Sequence, residues 1–198
     1  MFDPREFWID PDASDQAPEV REICRPQFYL GLHNVTDLVV STMLKHVGKY
    51  ESILELGCGT GRNLAGLYRA GYNKLYGIEI NKRAVDEGKI VFPELKHIPV
   101  MYSAIEDEIN NWYGLDCLFT QGVLMHLAPA SEWIFQQMVI IAKRHIITIE
   151  NETDGSDRAW ARNYKDIFTG FGWSEVESHT CEAWPPLPAE TVCRVFVP

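Results

Sequence analysis

Three glycines alternate in the stretch "ILELGCGTGRN" at residues 53–63, directly after an apolar run, and an acid, Glu55, stands two positions ahead of them. A glycine-rich turn after a strand lets a ligand approach the backbone without β-carbon clashes. The spacing is not G-x-G-x-x-G and no Gly-Lys-Ser/Thr follows, so neither a pyrophosphate turn nor a triphosphate loop is spelled out. A second acid, Glu79 in "LYGIEIN", comes 22 residues after Gly57. At the end of a second strand such a carboxylate accepts hydrogen bonds from the two hydroxyls of a ribose. Glu55 suits a ligand with a positive amino group. The two acids together ask for an amino acid joined to adenosine, its amine toward Glu55 and its carboxylate near backbone N–H groups.

Other residues suit an acceptor. His126, in "GVLMHLAP" just past an apolar strand, has a side-chain type with an ordinary pKa of ~6.5 that suits proton removal near neutrality. Its alternative is packing under the next helix or bonding a backbone carbonyl. The segment "ENETDGSDRAWARNY", residues 150–164, follows another strand, where loops carry specificity. Glu152 or Asp154 suits a cationic acceptor or a base, and Arg162 suits a carboxylate or phosphate clamp. A solvated loop with Trp160 in a minor core is the other reading. Tyr29 and its helix are expected to form a lid that keeps water out. No Asp, Glu or His pair has ligand-like spacing, so no metal is expected.

These residues need elements to hold them. Residues 1–18 are rich in Asp and Pro and read as irregular; 18–33 and 34–48 read as helical. Strands are expected near 52–57, 75–80, 98–102, 115–121 and 145–150, with helices at 61–70, 82–91 and from Pro129 to about 142. That alternation implies right-handed crossovers and a parallel sheet. Pro99 demotes the third strand to an edge. After a helix in "RNYKDIFTGFG", the runs "WSEVESHT" and "ETVCRVFV" have no helix between them and read as an antiparallel hairpin. The expected fold class is α/β, a seven-stranded, mostly parallel, doubly wound sheet with an antiparallel C-terminal hairpin and an N-terminal helical lid. Residues 1–48 would be the irregular segment and lid, and 49–198 the ligand-binding domain, one structural unit in all.

The 198 residues fit one core, and no apolar run approaches the roughly 20 residues of a membrane span. A net charge of −10 repels a phosphate backbone and disfavours nucleic acid. Five scattered cysteines suggest reduced thiols. With no signal peptide, a cytoplasmic protein without membrane contact is expected.

S-adenosylmethionine is an amino acid joined to adenosine. On "LELGCGTGRN", "YGIEIN", "YSAIED" and "LDCLFTQGVLMHL", the chain resembles the class I S-adenosylmethionine-dependent methyltransferases over roughly residues 50–198. The resemblance implies that Gly57, Cys58, Gly59 and Thr60 line the methionine part of the cofactor and that Glu79 binds its ribose. Ile80 would pack on adenine, with Ala104 and Ile105 at its edge, and Gln121 would meet the methionine end. Asn63 would face the cofactor or pack the first helix; Cys58 reads as loop filler. The segments "WIDPD", "GRNLAGLYRAGY", "IITIEN" and "RNYKDIF" further resemble bacterial methyltransferases encoded with glycan biosynthesis, such as those of pseudaminic acid pathways. The implied activity is methyl transfer to an oxygen or nitrogen of a small molecule or glycan precursor, leaving S-adenosylhomocysteine. Rival readings are N-methylation of an amino acid or peptide and a non-catalytic, cofactor-binding regulatory partner.

Overall fold

The computed structural model describes residues 4–153, 155 and 158–198, so Asp154 lies outside the described residues. Its centre is β1 (Ile53–Leu56), every residue of which is buried. Parallel neighbours flank it on both sides: β2 (Leu75–Glu79) and β4 (Leu115–Gln121). Beyond β2 lies β3 (Val100–Tyr102), and beyond β4 lies β5 (Ala142–Asn151), both parallel. The seven-stranded sheet has the order β3-β2-β1-β4-β5-β7-β6. Here β7 (Thr191–Val197) pairs antiparallel with β5 and with β6 (Ser174–Thr180), so the last strand enters between two earlier ones. The expected mixed sheet and its terminal hairpin are both present.

Alternation along the strands sends side chains into two apolar layers. Ile53, Phe119, Ile147 and Val195 pack toward Leu38 and Met43 of α4 (His33–His46) and Leu64 and Leu67 of α5 (Arg62–Arg69). Leu54, Leu118, Ile146 and Phe196 pack on the opposite face, toward α8 (Trp133–Ile141) and α9 (Tyr164–Gly170). The α6 helix (Lys82–Val91) follows β2, and Asn81 caps it by accepting from the Ala84 N–H at 3.0 Å. Pro99 precedes β3, which is an edge strand; its Tyr102 ring lies under the ammonium groups of Lys82 and Lys89, 5.3 and 5.0 Å away.

The amino-terminal segment is more ordered than its composition suggests. Residues read as irregular contain α1 (Pro4–Ile9) and a 3-10 turn at Pro11–Ala13, where the Asp10 side chain accepts from the Asp12 N–H. The helix read across 18–33 is two helices, α2 (Pro18–Cys24) and α3 (Pro26–Leu30). The break is local: Arg25 is extended at ψ 148° because Pro26 clashes with a helical predecessor. Three small groups of polar contacts tie these helices down. Asp12 accepts from Arg25 Nε at 2.6 Å and from Arg83 Nη1 of α6 at 3.0 Å. Gln27 donates to Glu87 at 2.6 Å, and Arg5 pairs with Asp107 in α7 (Ile105–Glu108). The last helix of residues 1–48, α4, packs into the sheet layer instead; only α1 to α3 reach over the carboxyl ends of the strands.

Candidate active site

The carboxyl ends of β1, β2 and β4 open into one cavity of about 210 Å³. Its floor is the turn after β1. Gly57 turns there with φ 67°, and a methyl group on it would lie 2.5 Å from Val123 Cγ2, so glycine is required twice over. At Gly59 an added Cβ would meet nothing within 4 Å, which leaves room for a ligand against the backbone. From outside, α6 presses on the same turn: a Cβ on Gly88 would stand 1.9 Å from the Thr60 carbonyl oxygen. Gly88 is thus a site-shaping residue that sequence reading passed over, because mid-helix glycine carries no turn signal.

Every residue read as facing the cofactor lines this one cavity: Glu55, Gly57, Cys58, Gly59, Thr60 and Asn63 from the first motif, Glu79 and Ile80 from β2, and Ala104, Ile105 and Gln121 beyond them. Glu79 accepts from the Gly59 N–H at 2.7 Å and from the Asn81 N–H at 2.7 Å. Burial raises its pKa, against those two hydrogen bonds. Glu55 is 1% exposed; Asn63 Nδ2 donates to its Oε1 at 2.8 Å, while its Oε2 is buried without a partner. Burial pushes the Glu55 carboxyl up to about 8. Asn63 is itself oriented by Thr36, whose hydroxyl donates to Asn63 Oδ1 at 3.3 Å. Cys58 is buried, and desolvation holds its thiol well above the usual range, which disfavours a thiolate.

The roof comes from the amino-terminal helices, through Pro4, Trp8, Cys24, Pro26 and Tyr29. Burial raises the Tyr29 hydroxyl, keeping it neutral. His126 forms one wall; its Nδ1 lies 2.7 Å from the Arg158 carbonyl oxygen, and its ring meets Trp8 at 4.8 Å between centroids. A ring nitrogen facing a carbonyl must carry the proton, so Nε2 is the basic nitrogen of the neutral ring.

Two buried groups clamp the loop that carries His126. Glu150, driven up to about 7 by burial, accepts from the Val123 and Met125 N–H groups at 2.9 and 3.4 Å. Arg162 donates to the Leu124 and Leu127 carbonyls at 3.0 and 2.6 Å and to Glu132 at 3.2 Å. Read from sequence as an acceptor clamp, Arg162 lies outside the cavity lining and is spent on backbone. Trp160 also lies outside the lining, and its backbone N–H donates to the Met125 carbonyl at 2.8 Å. Glu152 is taken by Arg194 in a two-pronged pair at 2.6 and 2.8 Å, away from the cavity. Among the described residues read as facing the acceptor, Tyr29 and His126 reach the cavity, and Glu152, Trp160 and Arg162 do not. The hydrogen-bond partners of the Glu152 and Arg162 side chains lie 30 or more residues away in sequence, which no local pattern reveals.

The family model described as a methyltransferase domain matches residues 54–145, the span from β1 into β5. The chain thus contains a methyltransferase domain. No curated protein sequence matches the chain. Among solved structures it is similar to the magnesium protoporphyrin IX methyltransferase of Synechocystis PCC 6803 with bound S-adenosylhomocysteine, at 16% identity and a TM-score of 0.70. That match covers 98% of this chain and 96% of the other. A TehB-like methyltransferase from Corynebacterium glutamicum is similar at 17% identity and a TM-score of 0.62, covering 86% and 94%. These likenesses show the class I methyltransferase fold. The site fits the cofactor: an unpartnered buried carboxylate oxygen at Glu55 and open space above Gly59 stand where an amino acid and its nucleoside would lie. Among the described residues, no helix is long and apolar enough to cross a membrane.

Proposed function

We propose that this methyltransferase methylates an oxygen of a small hydroxylated molecule, with His126 as the base that takes the acceptor's proton. The observation that carries the reading is His126 itself. It lines the cavity, and its Nδ1 lies 2.7 Å from the Arg158 carbonyl oxygen, which orients the ring. When bound, S-adenosylmethionine supplies an electrophilic methyl group on a sulfonium.

The chain's own residues do the rest. Glu55, Asn63 and Gln121 hold the amino-acid end, Glu79 the ribose, and Ile80 with Ala104 and Ile105 the base. Tyr29, Trp8 and Pro4 exclude water from above. Alignment of acceptor and donor in such a closed site lowers a barrier by about 7–11 kcal/mol in well-oriented cases, and a general base adds ~10²–10⁴-fold. The roof favours a small acceptor over a polymer, and the net charge of −10 works against nucleic acid. The segments that resemble glycan-associated enzymes favour a sugar or sugar nucleotide; the protein then acts in the cytoplasm, where such precursors are built.

Transfer of labelled methyl from S-adenosylmethionine to panels of sugar nucleotides, amines and peptides tests the acceptor class. Hydroxylated sugars are expected to be labelled, and labelling confined to amines would sink the proposal. His126→Ala is expected to lower turnover ~10²–10⁴-fold with unchanged affinity for S-adenosylhomocysteine. Equal turnover in the variant would remove the base from the mechanism.

A further inference from the structure

An amino acid bound end-on needs two partners, one for its amine and one for its carboxylate. Glu55 answers the first. The backbone N–H groups of the glycine turn are the obvious answer to the second, yet three of them are already engaged. The Cys58 N–H donates to the Ile78 carbonyl at 3.0 Å, the Gly59 N–H to Glu79 at 2.7 Å, and the Gly61 N–H to the Cys58 carbonyl at 2.8 Å. A carboxylate arriving there would have to displace bonds that shape the turn.

A cation stands beside the turn. Arg62, the first residue of α5, is 4% exposed and lines the cavity. Its Nη1 donates to the Leu32 carbonyl, and its Nη2 to Gln121 Oε1 at 2.9 Å. Both contacts are to neutral acceptors, so the guanidinium is fixed in place while none of its hydrogen-bond partners carries a formal charge. Burial lowers its pKa to about 10, with Glu55 opposing, and it remains cationic near neutrality. The other arginine on the cavity wall, Arg5, is exposed and paired with Asp107. A buried arginine tied to neutral oxygens is costly unless an anion joins it, and its fork matches a carboxylate.

We propose that Arg62 binds the carboxylate of the cofactor's amino acid, so that Glu55 and Arg62 together read the zwitterion and select the intact donor. The Leu32 and Gln121 bonds hold the fork in position before the cofactor arrives, which limits the ordering cost of binding. This rests on S-adenosylmethionine being the cofactor, and binding by the unaltered protein checks that point separately.

The test is calorimetric and needs no acceptor. S-adenosylmethionine and its decarboxylated analogue, which keeps the sulfonium, amine and adenosine, are titrated into the unaltered protein, Arg62→Gln and Arg62→Lys. The unaltered protein is expected to prefer the carboxylated ligand on the order of 10- to 100-fold, the range for a charged hydrogen-bonded contact. Arg62→Gln should erase that preference while leaving the affinity for the analogue unchanged, and Arg62→Lys should keep part of it. The proposal is overturned if the unaltered protein does not distinguish the two ligands, or if the preference survives in Arg62→Gln. It is also overturned if Arg62→Gln or Arg62→Lys weakens both ligands equally, since that is the signature of a residue that only holds the turn. Because the first comparison uses no variant, an absence of preference overturns the proposal even if Arg62→Gln fails to fold.

Discussion

At the scale of single residues, Glu55 carries a measurable consequence. Burial holds its carboxyl at about 8, above the ordinary 4.5. The folded chain therefore favours the protonated form, and its stabilising share, full below about pH 4.5, is lost as pH rises through 8. A cofactor amine against Glu55 reverses the preference and draws out the proton. Titration of S-adenosylhomocysteine at pH 7 in buffers of different ionisation enthalpy is expected to report release of about one proton per cofactor. The release should vanish near pH 9 and be absent in Glu55→Gln; the same binding enthalpy in all buffers at pH 7 would mean that Glu55 does not meet the amine. Glu55 was legible in the sequence because its place before a glycine turn constrains the residue type. Arg62 was not, because an arginine opening a helix ordinarily reads as solvated, and only the carbonyl of Leu32 and the amide of Gln121 bring it indoors. Glu152 and Arg162 misled for the converse reason: charges in a loop read as available until Arg194 and two backbone carbonyls claim them.

At the scale of elements, the turn after β1 is held from below by its own hydrogen bonds and from the side by α6. Gly88→Ala should improve the intrinsic helix propensity of α6 by about 0.8–1.0 kcal/mol. The new methyl would nonetheless stand 1.9 Å from the Thr60 carbonyl oxygen, a backbone atom that cannot rotate away. Net destabilisation of about 1–3 kcal/mol is expected in chemical denaturation, together with weaker S-adenosylhomocysteine binding as α6 lifts from the turn. A variant more stable than the parent would mean that the helix shifts freely. Pro99 foretold the edge strand, since a missing N–H is a local property. Pro26 carried an equally local signal for the break between α2 and α3, which reading 18–33 as one helical stretch passed over. The 3-10 turn at Pro129–Ser131, read as the opening of α8, illustrates the usual uncertainty of a helix start.

At the scale of the whole molecule, the parallel strands followed from alternation of strand and helix, and the antiparallel pairing of β6 and β7 from their short link, whereas the insertion of β7 between β5 and β6 shows only in the structure. How residues 4–30 cross the site could not be read, because it depends on charges meeting across the chain. Asp12 joins Arg25 to Arg83, and Arg5 reaches Asp107, so the roof is fastened largely by exposed ion pairs. Exposed pairs weaken as salt screens them. Stopped-flow dissociation of S-adenosylhomocysteine should quicken with added salt in the unaltered protein, and Asp12→Asn should be faster at low salt with a flatter salt response. A salt-independent rate shared by both would show that the roof does not gate the cofactor. The free edge at β3 bears on a different risk. It offers an incoming strand three residues of backbone, and Lys82 and Lys89 sit over the ring of Tyr102 beside it. A second chain docking there would have to displace two ammonium groups for a few hydrogen bonds. At the crowded concentrations of a cell, that rim works against edge-to-edge association through β3.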